Sequence, residues 1–379
     1  FCSDDTAEGG ALKYMCELYT QEKGVEIQFV EVPYSDFQTK LLNMIKAKNA
    51  PAVVRATEIG KYYEYLLDIG DIAPAPEEMF SLTTFGGTTY GLSANVTTDG
   101  FIYNKTLFDQ AGVTAPVKDS DRWTWDEFIQ AITTVVEKTD AEYGIVWDPY
   151  LFRFTDMAGQ FGASLVSEDL TKVTCKSPEM LACLNTFLSL FDKGLMPKSQ
   201  WVGTEDPSTM FMTGKVAVYM CGNWKVGDYE KNITDFEWSP CLMPYKEERT
   251  SHIGGNYLFA CKGSGMEKEA KAFMQWFYTP ENYKKYCEKA NYLPGRTGVD
   301  VTYEIPEIEI FLEEMNSSSS EIIKNTFDSL KAVYYEADFQ DALTDILKET
   351  VAGKHTAEEC LQLWEDKLLE MYPDLTSAY

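Results

Sequence analysis

The segment from Tyr90 to Gly112 limits the fold of this chain more than any other stretch. Asn95, Val96 and Thr97 interrupt what would otherwise be two extended segments, and Gly100 then leads into Phe101-Ile102-Tyr103, an apolar and aromatic run suited to a strand. The chain is expected to change lobes at that interruption. Asn104 offers a side-chain oxygen before Leu107, Phe108 and Ala111, so a short helix can begin at the strand end and stop at Gly112, a position that tolerates left-handed backbone. After a loop, Thr124 and Glu127 stand at capping-box spacing ahead of an apolar helix face made by Phe128, Ile129, Ile132, Val135 and Val136.

The same alternation runs through the rest of the chain. Leu12, Met15, Leu18 and Tyr19 fall at helical spacing, and Val25, Ile27 and Phe29 alternate with Glu26 and Gln28 as a half-buried strand does. Ser35 and Gln38 form another capping pattern before Phe37, Leu41, Met44 and Ile45, with Pro51 as the stop, and Val53-Val54 reads as a short buried strand. Gly144 to Trp147, Val216 to Met220 and Phe236 to Met243 read as further strands, while Ser177-Pro178-Glu179 opens a long apolar helix with a stop at Gly194. His252 to Tyr257 is expected to return the chain to the first lobe, with Gly254-Gly255 suited to a hinge. Helices from Glu267 and from Thr279-Pro280-Glu281 rebuild that lobe. Asn316 to Ser320 reads as a flexible surface link, and the last helix opens with a Thr356/Glu359 box. Strands alternating with helices make this an α/β chain with a mainly parallel sheet covered on both faces. In such sheets ligands sit beyond the carboxyl ends of the strands, which singles out Asp4 and Asp5 after the first strand and Thr57 and Glu58 after Val53-Val54.

Tyr103-Asn104-Lys105 through Gly112, followed by Thr124 to Phe128, resembles the extracellular solute-binding proteins of sugar ABC transporters, the maltose-binding-like group. Gly91-Leu92, Gly214 to Ala217, Gly222-Asn223-Trp224, Pro244, Gly254-Gly255, Tyr292 to Arg296 and Gly353 to Glu359 carry the resemblance, in order, over nearly the whole chain. It implies a two-lobed periplasmic-binding-protein-like fold with a hinge between lobes, residues 1–97 and 257–308 forming one lobe and 98–256 and 309–379 the other. It implies an oligosaccharide held in the cleft between lobes and delivered to ABC transporter permease subunits by a monomer that is not an enzyme and carries no cofactor. It further implies an extracytoplasmic place, as a cell-surface lipoprotein or periplasmic protein. Phe1-Cys2-Ser3 then reads as the end of the first core strand, so a signal and a lipid-modified cysteine are expected upstream, the anchor being the sole attachment to a membrane. Where maltose binders of the group carry a tryptophan after the second strand, this chain has Ala56 or Thr57; where they carry aromatics and an arginine in the penultimate helix, it has Gln340, Asp341 and Thr344. Those departures argue against maltose itself, although Phe339 offers a substitute ring.

Composition narrows the alternatives. With 33 Lys plus Arg against 60 Asp plus Glu, the net charge of −27 repels phosphate backbones and anionic lipid, which opposes nucleic acid as a partner. The nine cysteines are irregularly spaced and read mostly as small buried hydrophobes, with a Cys2–Cys16 link as an open alternative. The only histidines, His252 and His355, stand alone, and no metal site is expected. Asp126-Glu127 fits capping better than acid and base catalysis, and no nucleophile elbow or phosphate loop is present. A glycoside hydrolase, whose two carboxylates can lie anywhere in sequence, stays as the rival from another class. A binder of a cationic small molecule such as a polyamine stays as the rival among binding proteins.

Sugars pack the C–H face of a ring on an aromatic plane and match their hydroxyls with paired donors and acceptors. Trp224, after a strand and where the resembled family carries a sugar-stacking tryptophan, is the first candidate. Trp147 and Tyr150 follow a strand; Trp201 lies in an acidic stretch; Asn256 and Tyr257 lie at the second crossing. Asp5, Thr57, Glu58, Thr97, Asp99, Tyr292 and Arg296 complete the expected ligand-binding set, Tyr292 and Arg296 through the family's use of that loop.

Overall fold

The computed structural model describes residues 1–4, 10–57, 60–169, 171–318 and 337–379. The chain forms two compact units, Phe1–Thr97 with Gly254–Pro306 and Thr98–Ile253 with Glu307–Tyr379. Its strands, in chain order, are β1 (Cys2–Asp4), β2 (Val30–Val32), β3 (Val53–Ala56), β4 (Leu82–Phe85), β5 (Thr88–Asn104), β6 (Tyr143–Trp147), β7 (Lys172–Val173), β8 (Val216–Gly222), β9 (Trp238–Cys241) and β10 (Ile253–Ala260), with a last short strand at Thr376–Ser377.

In the first unit β1 pairs in parallel with both β2 and β3, and β10 runs antiparallel to β3, with Tyr257 opposite Ala56. The helix Ala11–Lys23 buries Leu12, Met15, Cys16 and Tyr19, as their spacing requires. Its core also takes Phe273, Phe277 and Tyr283 from the helices Glu267–Phe277 and Pro280–Ala290. Two local expectations change. The strand expected from Val25 to Phe29 lies at Val30–Val32, where it pairs with β1. The helix expected from the Ser35 cap starts earlier, at Tyr34 after Pro33, and ends at Lys46 rather than at Pro51. Gly254 and Gly255 lie inside β10.

In the second unit the carboxyl-terminal half of β5 pairs antiparallel with β8 and β9, and β6 pairs in parallel with β8. Asn95 to Thr97 do not interrupt β5, which is continuous for 17 residues; extended backbone accommodates Asn and Thr without a break when neighbouring strands take their hydrogen bonds. Asn104 caps the helix Lys105–Ala111 by accepting from Leu107 N, and Gly112 ends it at φ 73°. Thr124 and Glu127 form the reciprocal box of the helix Trp125–Lys138, and Thr356 and Glu359 that of Ala357–Met371, each cap contributing about 1 kcal/mol. Phe187 centres the core, its ring 5.5 Å from Trp147, 5.5 Å from Phe154, 5.1 Å from Phe191 and 5.0 Å from Trp201. A Cβ on Gly100 would stand 2.7 Å from the Phe311 ring, so β5 accepts only glycine under the helix Ile308–Ser317. That helix includes Asn316 and Ser317, which the sequence reading had assigned to a surface link; Ser319 and Ser320 lie outside the described residues. It is tied down by Glu314, whose carboxylate accepts from Arg122 at 3.0 Å and from Met243 N at 2.8 Å, with both charged side chains 1% exposed.

All nine cysteines are buried, and Cys16 is a free thiol, so the Cys2–Cys16 link is not formed. Burial raises the Cys16, Cys175, Cys261 and Cys360 thiols to about 12.

Candidate functional site

The parallel pairing of β6 and β8 in the second unit brings their carboxyl ends to one edge, with Trp147 opposite Met220. Asp148 leaves β6 there, and Asn223-Trp224 leaves β8. Asp99 enters the same edge because β5 runs antiparallel to β8 and sets it opposite Gly222. The helix Leu151–Gln160 begins just after Asp148, its Leu151 N donating to Thr344 Oγ1 at 3.1 Å, and its first turns carry Arg153 and Asp156 inward.

These side chains form one charged knot. Arg153 Nη1 donates to Asp99 Oδ2, and Arg153 Nη2 donates to Asp148 Oδ2 at 3.3 Å. Tyr219 OH lies 3.3 Å from Asp148 Oδ1. The Arg153 guanidinium also stands over the Trp224 ring, 5.4 Å from its centroid. Burial pushes the Asp99 carboxyl upward, but the Arg153 cation, a hydrogen bond from Asp156 and the neighbouring His252 outweigh it and hold Asp99 below the usual carboxylate range. Asp156 goes the other way: burial, then the Asp99 charge, raise it well above that range. One guanidinium therefore sits among three carboxyls, of which Asp99 is held toward its charged form and Asp156 toward its neutral one.

The backbone beneath this knot is held by hydroxyls and one amide. Thr98 N donates to Asn223 Oδ1 at 3.0 Å, Thr98 Oγ1 and Ser251 Oγ lie 2.8 Å apart, and Ser251 Oγ donates to Asp99 O at 2.7 Å. Asn223 thus fixes the turn that carries Trp224. The Trp224 ring is half-buried, and it folds back on Gly222 so closely that a Cβ there would lie 1.8 Å from its Cζ3. A half-exposed indole beside a partly exposed carboxylate and a guanidinium has the chemistry to stack on a sugar face and bond its hydroxyls.

A family model described as "Bacterial extracellular solute-binding protein" matches residues 14–309, more than three quarters of the chain. The chain belongs to this family. The arabinooligosaccharide-binding protein of Halalkalibacterium halodurans is 22% identical over 362 residues, covering 87% of this chain and 79% of that one. Among solved structures, the ABC substrate-binding protein of Listeria monocytogenes in complex with cycloalternan superposes with a TM-score of 0.78 at 22% identity, covering 98% of both chains. The cyclic alpha-maltosyl-1,6-maltose binding protein of Arthrobacter globiformis gives 0.78 at 20% identity, over 98% of this chain and 97% of that one. At such identities the structural likeness shows the fold, an α/β architecture shared by sugar-binding proteins of two lobes.

In this extracellular solute-binding protein the other expected residues fall in several environments. Tyr150 is 59% exposed at the start of the helix Leu151–Gln160. Trp147 and Trp201 are core residues, 0% and 1% exposed and packed on Phe187, not open ring platforms. Trp147 is the last residue of β6, and strand alternation turns it into the core where Asp148, just beyond, turns to the edge. Asp99 is wholly buried and reaches solvent chemistry only through Arg153.

In the first unit Thr57 and Thr97 are half-buried, and Asn256 and Tyr257 are buried in β10. Tyr292 is buried, its hydroxyl accepting from Arg55 Nη2 at 3.4 Å and its ring 5.6 Å below the same guanidinium. Arg296 spends its guanidinium within the first unit, donating to Tyr278 O and, at 3.0 Å, to Glu78 Oε1. Asp5 and Glu58 lie outside the described residues.

The residue that sequence reasoning missed is Arg153. Its signal was present: an arginine and an aspartate three apart, Arg153 and Asp156, in an otherwise apolar helix, where a lone buried charge has to be paired. Gly222 is the second, read from sequence only as part of a motif. Among the described residues no group of three or more His, Cys, Asp or Glu side chains could hold a metal ion.

Proposed function

We propose that this protein binds a neutral oligosaccharide outside the cytoplasm and presents it to the permease of an ABC transporter, with Trp224 as the stacking plane and Asp148 and Tyr150 beside it. The observation that carries the reading is the half-exposed Trp224 ring set next to the Asp148 and Arg153 pair. The names of relatives and neighbours that bind arabino-oligosaccharide, cycloalternan and cyclic maltosyl-maltose support the ligand class. The carboxylates beside Trp224 are already engaged by Arg153, which disfavours a cationic ligand, and the Asp99 and Asp156 pair is too enclosed to serve as acid and base on a glycosidic bond. The protein is accordingly read as a carrier of its ligand and not as a glycoside hydrolase.

Calorimetric titration against malto-, arabino-, fructo-, xylo- and mannooligosaccharides tests the reading. Saturable binding of one series, with no new reducing ends after prolonged incubation, is expected. No binding across the panel, together with tight binding of spermidine, overturns it, as does release of reducing ends.

A further inference from the structure

We infer that Arg153 is the positioning residue of the site: its guanidinium covers one face of Trp224 while gripping Asp99 and Asp148, so that a ligand meets only the opposite ring face, with the Asp148 carboxylate set beside it. The inference rests on the sugar-stacking role proposed for Trp224, though its structural part stands without a ligand. Arg153 is buried, 8% exposed, and makes three contacts that together leave its plane little freedom. Asp99 is fixed by the sheet, opposite Gly222 and with its backbone N donating to His252 O at 3.0 Å. Asp148 is fixed at its other oxygen by Tyr219 OH. The position of the guanidinium is thereby inherited from β5 and β8, and passed on to a ring that is otherwise only half enclosed.

The geometry also explains why the residue is arginine. A planar guanidinium can lie over an indole and donate in its own plane to two carboxylates at once; an ammonium is a point donor and cannot do both. The same two carboxylates keep the cation charged, since Asp99 and then Asp148 offset its burial. A cation that merely balanced Asp99 would have no need to reach Trp224, and Gly222 would not have to admit the ring edge so closely.

The test replaces Arg153 by lysine, which keeps the charge opposite Asp99 and loses the plane. The protein is labelled with 5-fluorotryptophan, giving eight fluorine resonances for its eight tryptophans, and the Trp224 signal is assigned with Trp224→Phe. Arg153→Lys is expected to move the Trp224 resonance and leave those of the core residues Trp125, Trp147, Trp201 and Trp364 in place. Asp148→Asn, at a side chain 24% exposed and so safe for folding, is expected to move the same signal in the same direction by less. A Trp224 resonance unmoved in Asp148→Asn, or moved only together with the core signals, overturns the inference even if Arg153→Lys fails to fold. With whichever oligosaccharide of the panel binds, Arg153→Lys is expected to lose roughly tenfold in affinity at an unchanged melting temperature; unchanged affinity overturns the functional half. If wild-type protein binds no oligosaccharide, the proposed function fails while the fluorine result still decides whether Arg153 positions the ring.

Discussion

Replacing Gly222 with alanine isolates the Trp224 platform from the stability of the fold. The added Cβ would lie 1.8 Å from Cζ3 of Trp224, where ordinary contact begins at 3.4 Å, so the ring has to retreat by about 3.4 − 1.8 = 1.6 Å. Gly222 itself sits at φ −112° and ψ 170°, a conformation open to alanine, so the backbone adds no strain. Loss of glycine's freedom in the unfolded chain stabilises by about 0.4–1 kcal/mol. Loosening the ring from Arg153 costs about 0.5–1 kcal/mol, so the two nearly cancel and the melting temperature is expected to move by no more than about 3 °C. Affinity does not share that cancellation. A stacking plane displaced by more than an ångström loses the aromatic contribution of about 0.5–1.5 kcal/mol and misaligns the neighbouring hydrogen bonds, which together correspond to roughly a tenfold rise in Kd. Calorimetric titration with the bound oligosaccharide reads the affinity, and differential scanning calorimetry reads the stability. Affinity within twofold of wild type would refute the stacking role. A fall in melting temperature beyond about 6 °C would refute the exposed placement, because only a ring locked in the core makes the added methyl that costly.

Other perturbations separate the remaining claims. Glu314→Ala strands the buried Arg122 cation and is expected to cost about 3–5 kcal/mol in urea unfolding, whereas Lys105→Ala at the exposed pair with Asp109 is expected to leave the unfolding midpoint nearly unchanged. Asp156 has a folded pKa above its unfolded one, so its contribution to stability is complete below about pH 4 and fades as pH rises through the folded value. Asp99, depressed by Arg153, acts oppositely and loses its contribution on acidification. Melting temperatures from pH 4 to 8 should therefore fall less with rising pH in Asp156→Asn than in wild type, because the amide removes the titration; an identical profile would refute the raised value of Asp156. A neutral ligand implies an affinity that changes less than about twofold between 20 and 500 mM salt, whereas a steep fall would identify a cationic one. Native protein should react with almost none of a disulfide-exchange reagent in minutes, while the denatured chain titrates nine thiols.

How much of this could be read from residues alone depends on the range of the interactions involved. Helix starts were legible because capping is local: Asn104, Thr124, Ser177 and Thr356 each bond a backbone N–H three residues ahead. The exception shows the limit, since the Ser35 pattern lost to Pro33, which presets the backbone ahead of the helix two residues earlier. Strand positions were less legible, for what fixes β2 is the register with β1 and not the alternation of Val25, Ile27 and Phe29. Among aromatics, the rule that residues after strands face ligands selected Trp224 and Tyr150, which keep exposed surface, but also Trp147, which as the last residue of β6 still points into the core. Arg296 and Tyr292 lie in a loop that the sequence located, yet their partners Glu78 and Arg55 come from more than 200 residues away. Arg153 escaped for the same reason: its partners Asp99 and Trp224 are 54 and 71 positions distant.

The charge arrangement beneath Trp224 bears on what kind of ligand it can accept. Burying a lone guanidinium is costly, and the cost is offset here by carboxylates on two sides and the indole on a third. A ligand carrying positive charge would compete with Arg153 for Asp148 and pull against the same balance, while an anionic one would meet Asp148 at the open side. A neutral polyhydroxylated ring disturbs neither, because its hydroxyls can donate to the free lone pairs of Asp148 and leave the ion pair intact. If that reasoning holds, Asp148→Asn weakens binding of the neutral sugar without creating affinity for anions, since Arg153 stays bound to Asp99. A variant that gained sugar acids as ligands would show instead that Arg153 can leave Asp99, and that the guanidinium is a ligand group in its own right.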